Sequence, residues 1–389
     1  MINYRKAGEL PRKPHSVFRN EKDELLFEHC FTRDGFDGPF SILYNEAPPQ
    51  GFGDGTAVEP LFPLPEEVDG GEKEALRRRH LRSQDLKTGG TPITGRKPLA
   101  FNADIVVGTV RPDSEDDIYF SNGDGDELLY IHRGEGTLIS PFGRLDFSPG
   151  DYVFVPQALA HRIELRGSDH YFLYFECTSG VHLPKQYRNP VGQLRMDAPY
   201  THRDFRGPEL VSPIDSKSIK TVISKRRNRF TKHTFPSTPM DTVGWDGTVY
   251  PFAFPILNFS PRIGQYHLPP TVHGTFATKG SLICSFVPRK VDFGEGAIPC
   301  PYPHSNVQVD EVIFYCDGDF TSRKGVSDGS VSFHPAGVPH GPQPGAYEAS
   351  IGTVEAHETA VMLDTFDPLK LTSWARSVEA QEYDDSWKV

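Results

Sequence analysis

Three residues near the carboxyl end of the chain have the types and the spacing of a metal site. His304 precedes Glu311 by seven residues, and His340 follows that glutamate after 29 residues. Two imidazoles and one carboxylate are the ligand set of non-haem iron(II) sites that use dioxygen, although zinc accepts the same donors. Because three ligands leave positions free for substrate and dioxygen, the spacing predicts an oxygen-using metalloenzyme, with manganese as an alternative metal.

The elements that must position these ligands are short strands. The chain of 389 residues contains 36 Gly, 35 Pro, 27 Phe and 15 Tyr, a mixture typical of strands joined by turns. In the first half of the chain, strands are predicted at 126–131, 136–140, 151–155, 161–165 and 171–177. A second strand-rich region is predicted over about 220–365. This pattern favours antiparallel barrels or double sheets.

The two strand regions share an internal repeat. The glutamate and the histidine of each copy are 34 residues apart in the first and 29 apart in the second, with glycine and proline in matching places between them. The repeated positions are Glu127, Gly134, Gly150, Pro156 and His161, and then Glu311, Gly318, Gly329, Pro335 and His340. Such a repeat predicts two copies of one barrel.

The predicted architecture is therefore a bicupin, dominated by β-structure and built from two double-stranded β-helix (jelly-roll) barrels. Residues 1–215 are expected to form an N-terminal arm and a first cupin domain. Residues 216–389 are expected to form the metal-binding cupin domain and to end in a helix at 368–383.

The first copy lacks one metal ligand. Phe120 stands where the second copy has His304, while Glu127 and His161 are retained. Two ligands hold a divalent metal poorly, so this site is predicted to be vestigial rather than a second metal site. His132 is a possible substitute ligand, but its spacing does not match the motif.

Residues 46–100 depart from the strand pattern. We interpret this stretch as a long surface excursion, or as an arm that contacts a neighbouring subunit, with a helix at 72–86. The basic cluster at 76–82 is expected to cover that helix or to bind an acidic neighbour. In the second copy, alternation along the strand predicts that His334 points away from the barrel lumen.

Composition excludes several classes of protein. The formal net charge of −11 argues against nucleic-acid binding, and the five cysteines form no CxxC pair that would suggest a disulfide framework or a zinc site. The amino terminus has no apolar signal core, and no window has the roughly 18 apolar residues of a membrane span. A cytoplasmic protein is the expectation.

A further histidine precedes the metal motif. His267 lies in the segment that ends at His273, where a histidine with a pKa near neutrality could orient a phenol or accept its proton. The alternative is a structural histidine that bonds to the backbone.

The motifs together resemble the homogentisate 1,2-dioxygenase family. The resemblance is carried by residues 301–306 (Pro-Tyr-Pro-His-Ser-Asn), 310–311 (Asp-Glu), 339–342 (Pro-His-Gly-Pro), 119–127 and the amino-terminal stretch 4–13. It covers most of the chain, is closest over 290–345 and fails over 46–75.

The resemblance implies an iron(II) enzyme that opens the ring of homogentisate with dioxygen to give maleylacetoacetate, in tyrosine and phenylalanine catabolism. His304, Glu311 and His340 match the family's metal ligands, and His267 matches its acid–base histidine. Tyr302, Phe320 and His340 are expected at the substrate. The family also implies a homo-oligomer, a trimer or a hexamer, which an arm at 46–95 would suit.

Three departures leave the substrate open. Phe320, nine residues after the metal glutamate, replaces a family tyrosine near the substrate carboxylate and cannot donate a hydrogen bond. The spacing from His304 to Glu311 is one residue longer than in the best-known members, and the stretch from His267 to His304 is shorter. The alternatives are a dioxygenase of another hydroquinone or gentisate-like acid, a non-redox metallocupin such as an isomerase or decarboxylase, and a non-enzymatic binding bicupin.

Overall fold

The computed structural model describes residues 3–68, 74–211, 220–236, 238–320, 323 and 325–388. Within these residues the chain is dominated by strands. In chain order the strands are β1 (Arg5–Gly8), β2 (Phe27–Thr32), β3 (Phe40–Asn45), β4 (Thr56–Val58), β5 (Arg79–Leu81), β6 (Arg96–Phe101), β7 (Ile105–Val110), β8 (Tyr119–Asn122), β9 (Asp126–Ser140), β10 (Gly143–Phe147), β11 (Asp151–Val155), β12 (Arg162–Cys177), β13 (Lys220–Arg226), β14 (Arg229–Phe235), β15 (Thr242–Gly247), β16 (Phe252–Pro255), β17 (Gly274–Ala277), β18 (Ser281–Phe286), β19 (Arg289–Lys290), β20 (Asp310–Gly318), β21 (Val331–His334), β22 (Glu355–Ala356), β23 (Glu358–Thr365), β24 (Lys370–Leu371) and β25 (Glu379–Ala380). The α-helices are α1 (Ala346–Ala349) and α2 (Ser373–Ser377).

The first barrel is built on an eight-stranded sheet with the order β16-β11-β9-β12-β7-β6-β24, to which β10 is added beside β9. The strands β9 and β12 each join two segments that the sequence suggested as separate strands. They remain paired along most of their length, with an irregularity between Arg166 and Tyr171. A second sheet, of order β4-β14-β13-β8, carries Phe120 on β8.

The second barrel is built on a seven-stranded sheet with the order β17-β18-β23-β20-β21-β5-β25. Its central strand, β20, is apolar from Val312 to Cys316 and buried throughout that run. Such a strand is buried on both faces, since one face lines the barrel and the other meets the rest of the core. The two-barrel, strand-dominated architecture predicted from the repeat is confirmed.

The two barrels share one hydrophobic core. Tyr130 of β9 and Phe314 of β20 lie with ring centroids 6.3 Å apart. The hydroxyls of Tyr152 and Ser285 are 2.8 Å apart and hydrogen-bonded across the same boundary. His132 packs there against Phe314, at 5.2 Å between ring centroids, and is therefore part of the barrel–barrel contact.

Strands are exchanged between the two halves of the chain. β5 lies in the sheet of the second barrel, whereas β16 and β24 lie in that of the first. The smaller sheets also mix the halves, because β15 pairs with β1 and β3, and β13 pairs with β8. The domain boundary predicted between residues 215 and 216 falls outside the described residues and stays a prediction.

The helix predicted at 72–86 is wrong over its described part, 74–86. Residues 79–81 form β5, which pairs with β21 and β25, and Ser83–Asp85 is a single 3₁₀ turn. The sheet pairing overrides the local preference for helix. The expectation of an acidic neighbour is confirmed, since Arg77 and Arg79 both form ion pairs with Glu379.

The described residues within 46–100 do not form a free surface excursion. β4 pairs with β14, and Phe62, Leu86 and Ile93 are buried. Contact of this segment with a neighbouring subunit remains a prediction. The helix predicted at 368–383 is shorter than expected, because only α2 is α-helical there and β24 and β25 flank it. No helix in the described part of the chain is long and apolar enough to cross a membrane.

Candidate metal centre

The structure brings His304, Glu311 and His340 together. Their potential ligand atoms all lie within 4.8 Å of one another, and Glu311 and His340 are buried. Glu311 is the second residue of β20. His304 and His340 lie on neighbouring loop segments that exchange two backbone hydrogen bonds, each of 2.8 Å. Ligands from separate parts of the chain are thus held by the barrel rather than by one flexible loop.

Hydrogen bonds to the backbone fix the orientation of both imidazoles. His340 Nδ1 donates to the carbonyl of Val338 at 2.8 Å, and His304 Nδ1 donates to that of Tyr302 at 3.2 Å. A carbonyl oxygen only accepts, so Nδ1 carries the proton and, in the neutral ring, Nε2 is free to bind a metal. His340 Nε2 is buried, lies 3.9 Å from Glu311 Oε2 and has no hydrogen-bond partner among the described residues. The donor set therefore fits a divalent metal.

The residue before each repeated glutamate anchors the loop that carries the repeated histidine. Asp310 accepts hydrogen bonds of 2.7 Å from the backbone N–H groups of Ala336 and Leu369. Asp126 accepts the equivalent bonds in the first barrel, from Gln157 at 2.8 Å and from Val181 at 2.7 Å. The two barrels thus share the contacts that place a histidine opposite a glutamate.

His334 points towards the metal glutamate, so the prediction that it points away from the lumen is wrong. It pairs with Glu311 across β20 and β21, and paired residues share a face of the sheet. His334 Nδ1 donates to Glu311 Oε1 at 2.7 Å. His334 Nε2 is then unprotonated and accepts from the hydroxyl of Tyr383 at 3.3 Å. The hydrogen bond from His334 occupies Oε1 of Glu311 and leaves Oε2 facing His340.

A second carboxyl group, Asp364, lies beside Glu311. The two residues are paired in register on β23 and β20. Oδ1 of Asp364 is buried and has no hydrogen-bond partner among the described residues. Burial and the charge of Glu311 together raise the pKa of Asp364 to about 8. The charge of Arg323 also acts on Glu311 and helps to lower the pKa of that carboxyl group.

Glu311 is ionised despite its burial. Burial alone would raise its pKa, but the hydrogen bond from His334 and the nearby imidazoles lower it to about 2. Burial lowers the pKa of His334 by more than the neighbouring Glu311 raises it, and the resulting pKa is about 4. At neutral pH Glu311 is therefore a carboxylate, as metal binding requires, and His334 is a neutral imidazole.

His304 and Glu311 of the triad line a cavity of about 370 Å³ that His267 also lines. His267 Nδ1 lies 3.3 Å from Asp292 Oδ2, while its Nε2 is buried without a hydrogen-bond partner among the described residues. The ring of Tyr302 meets that of His267 edge to face, with centroids 4.8 Å apart. His267 thus contacts a carboxylate rather than the backbone, which is the arrangement of an oriented acid–base group.

The structure places Phe320 behind the cavity wall. Its ring packs on that of Tyr315 with centroids 4.8 Å apart, and Tyr315 itself lines the cavity. Arg289 also lines the cavity, held by an ion pair of 3.2 Å to Glu358 and lying over Phe286. The substrate role expected for Phe320 stays a prediction, and Tyr315 and Arg289 are polar groups at the cavity that sequence reasoning missed.

His334, Asp364 and Asp292 were also missed. Asp364 has an equivalent in the first barrel, because Glu176 pairs with Glu127 there as Asp364 pairs with Glu311 in the second. This repeated acidic position is the signal in the sequence that could have pointed to Asp364. Spacing alone could not show this, since it depends on the register of distant strands.

Comparison with known proteins gives consistent matches. Residues 94–256 match the family model described as homogentisate 1,2-dioxygenase N-terminal. A protein of Saccharolobus solfataricus, named provisionally as a dioxygenase, is 34% identical over all of this chain and 99% of its own length. Homogentisate 1,2-dioxygenase of Bradyrhizobium diazoefficiens is 28% identical over 70% of this chain, and the match spans 63% of that enzyme. Among solved structures, a cupin 2 conserved barrel domain protein from Leptotrichia buccalis aligns with 75% of this chain and 96% of its own, at 11% identity and a TM-score of 0.34.

Proposed function

Because the chain belongs to the homogentisate 1,2-dioxygenase family, we propose that it is a metal-dependent dioxygenase that opens the ring of a dihydroxylated aromatic acid. Homogentisate is the leading substrate and maleylacetoacetate the corresponding product. In this reaction both atoms of dioxygen enter the product, so no further reductant is required. The observation that carries the proposal is one cavity lined by His304 and Glu311, two members of the triad completed by His340, and by the pair of His267 and Asp292.

Iron(II) is the proposed metal, held by His304, Glu311 and His340. When bound there, it would supply the redox chemistry that dioxygen requires. The donor set supports a divalent ion, since a buried carboxylate oxygen of Glu311 and the unpartnered Nε2 of His340 converge with His304 on one point.

His267 is the proposed acid–base residue. Asp292 accepts the hydrogen bond from Nδ1, and in the neutral imidazole this leaves Nε2 unprotonated and without a partner among the described residues. In that tautomer Nε2 can accept the proton of a phenolic hydroxyl and later return it. Asp292 is then a positioning residue, and Tyr302 limits the rotation of the ring through its edge-to-face contact.

Arg289 is the proposed partner of the substrate carboxylate. Its guanidinium is already fixed by Glu358 and by the carbonyl of Val287, at 3.2 and 3.1 Å, so little side-chain freedom remains to be lost on binding. A guanidinium offers two donors to a carboxylate. This role would replace the hydrogen bond that Phe320 cannot donate.

A related para-diol acid is the second candidate substrate. It is favoured by Phe320, which packs against Tyr315 instead of presenting a hydroxyl to the cavity. An enzyme built for a substrate with a shorter side chain would need a different carboxylate contact. We further propose a cytoplasmic homo-oligomer, a trimer or a hexamer, on the basis of family membership alone.

The test is an oxygen-uptake assay on protein reconstituted anaerobically with iron(II). Homogentisate, gentisate and unsubstituted hydroquinone are compared, and the near-ultraviolet absorbance of the product is followed. Uptake with homogentisate that is lost in His304→Ala supports the proposal. Activity with gentisate alone selects the second candidate. If fully metallated protein consumes no oxygen with any of the three, the dioxygenase assignment fails.

A further inference from the structure

The first barrel repeats the backbone geometry of the metal centre. Phe120 and His161 exchange two backbone hydrogen bonds, of 2.8 and 2.9 Å, as His304 and His340 do in the second barrel. His161 Nδ1 donates to the carbonyl of Leu159 at 3.0 Å, which leaves Nε2 unprotonated. That nitrogen lies 3.5 Å from Glu127 Oε2, is fully buried and has no hydrogen-bond partner among the described residues. Two ligands of a metal site are therefore present in ligand geometry.

In the first barrel the side chain of Arg96 lies between Glu127, His161 and Phe120. It is 1% exposed, and its two terminal nitrogens donate to the two oxygens of Glu127, Nη2 to Oε2 at 3.1 Å. The same Oε2 faces His161. Arg96 Cζ is also 5.4 Å from the ring centroid of Phe120, the residue at the third ligand position. The guanidinium thus occupies the space that the glutamate, the histidine and the missing histidine would enclose.

The carboxylates of the first barrel are balanced by side-chain cations. Glu127 is paired in register with Glu176, as Glu311 is with Asp364. Lys225 binds Glu176 at 2.6 and 2.7 Å. Two buried carboxylates are thus offset by two side-chain cations, Arg96 and Lys225.

We propose that Arg96 is a built-in cation that fills a latent site for a divalent transition metal in the first barrel. Glu127 and His161 would serve as two of its ligands once the guanidinium is removed. Phe120 is placed to contribute the third if it is replaced by histidine, because its backbone already matches that of His304. The inference does not depend on the proposed activity, since it rests on the geometry of the other barrel.

The test compares zinc content in variants of the full chain. Arg96→Ala/Phe120→His is loaded with zinc, dialysed, and analysed for metal per chain beside the wild type. The matched control is Arg96→Ala/Phe120→His/His161→Ala, which lacks one ligand. The single variant His304→Ala gives the zinc bound at the catalytic site, so that the two sites are counted separately.

We expect the double variant to bind one more zinc ion per chain than the wild type and the triple variant to lose that ion. If the double variant folds only with metal, zinc added during refolding should restore the far-ultraviolet circular dichroism of the wild type. A folded double variant without additional zinc overturns the proposal. So does a failure of zinc to rescue an unfolded one, or a wild type that already binds a second ion through His161.

Discussion

Replacement of His334 by phenylalanine tests whether a residue that does not bind the metal controls the metal site. Phenylalanine has a similar shape but cannot donate to Glu311. His334 is fully buried, and its hydrogen bond to Glu311 Oε1 is 2.7 Å long, so no water replaces it easily. A hydrogen bond to a charged group contributes about 1.5–3 kcal/mol. Loss of a side chain that hydrogen-bonds to a metal ligand typically weakens metal affinity by about 10–100-fold, or roughly 1.4–2.7 kcal/mol.

The two estimates agree, so we expect His334→Phe to weaken zinc binding by about 10–100-fold. The measurement is a competition titration of metal-free protein against a chromophoric chelator. Tyr383→Phe is the matched control, because it removes the 3.3 Å contact on the far side of the imidazole, keeps the hydrogen bond from His334 to Glu311, and should change the affinity by less than about 10-fold. The reasoning is refuted if a folded His334→Phe variant binds zinc as tightly as the wild type, or if Tyr383→Phe has the larger effect.

Three further outcomes are expected. Asp292→Asn should lower kcat by up to about 10²-fold with zinc affinity unchanged, because Asp292 only orients His267; an unchanged kcat in steady-state assays would contradict this role. Arg289→Met should raise KM for a carboxylated substrate more than for hydroquinone, and an equal rise for both would remove its proposed role. Glu127→Gln should cost about 3–5 kcal/mol in urea unfolding at neutral pH, because it leaves Arg96 buried without its partner. Burial would raise the pKa of Glu127, but Arg96 lowers it to about 2. In the wild type the stabilisation from this ion pair is therefore complete above about pH 4.5 and is lost as the pH falls towards 2. A Gln variant with the same acid sensitivity as the wild type would count against this role of the ion pair.

The spacing of a few residues was enough to identify the candidate metal site. His304, Glu311 and His340 lie within 37 residues of sequence, and the repeat of glycine and proline between glutamate and histidine marks the same turns in both barrels. Turn residues act locally, so their pattern survives in the sequence. For the same reason the strand-rich, two-barrel architecture could be predicted.

Other features depended on the register of strands that are distant in sequence. His334 reaches Glu311 only because β21 pairs with β20 in one register, and a shift of one residue would turn it to the other face. Residues 79–81 form a strand because β21 and β25 flank them, although their own sequence suggested a helix.

The sequence by itself determined the candidate metal ligands, the number of barrels and the absence of one candidate ligand in the first. Only the tertiary structure decided what surrounds each glutamate. Arg96 lies 31 residues before Glu127 in a segment outside the repeat, and its side chain enters the first barrel where the second presents a site suited to a metal. The physical reason is that charge balance in a buried site is set by whichever side chains the fold brings there, and no local pattern records them.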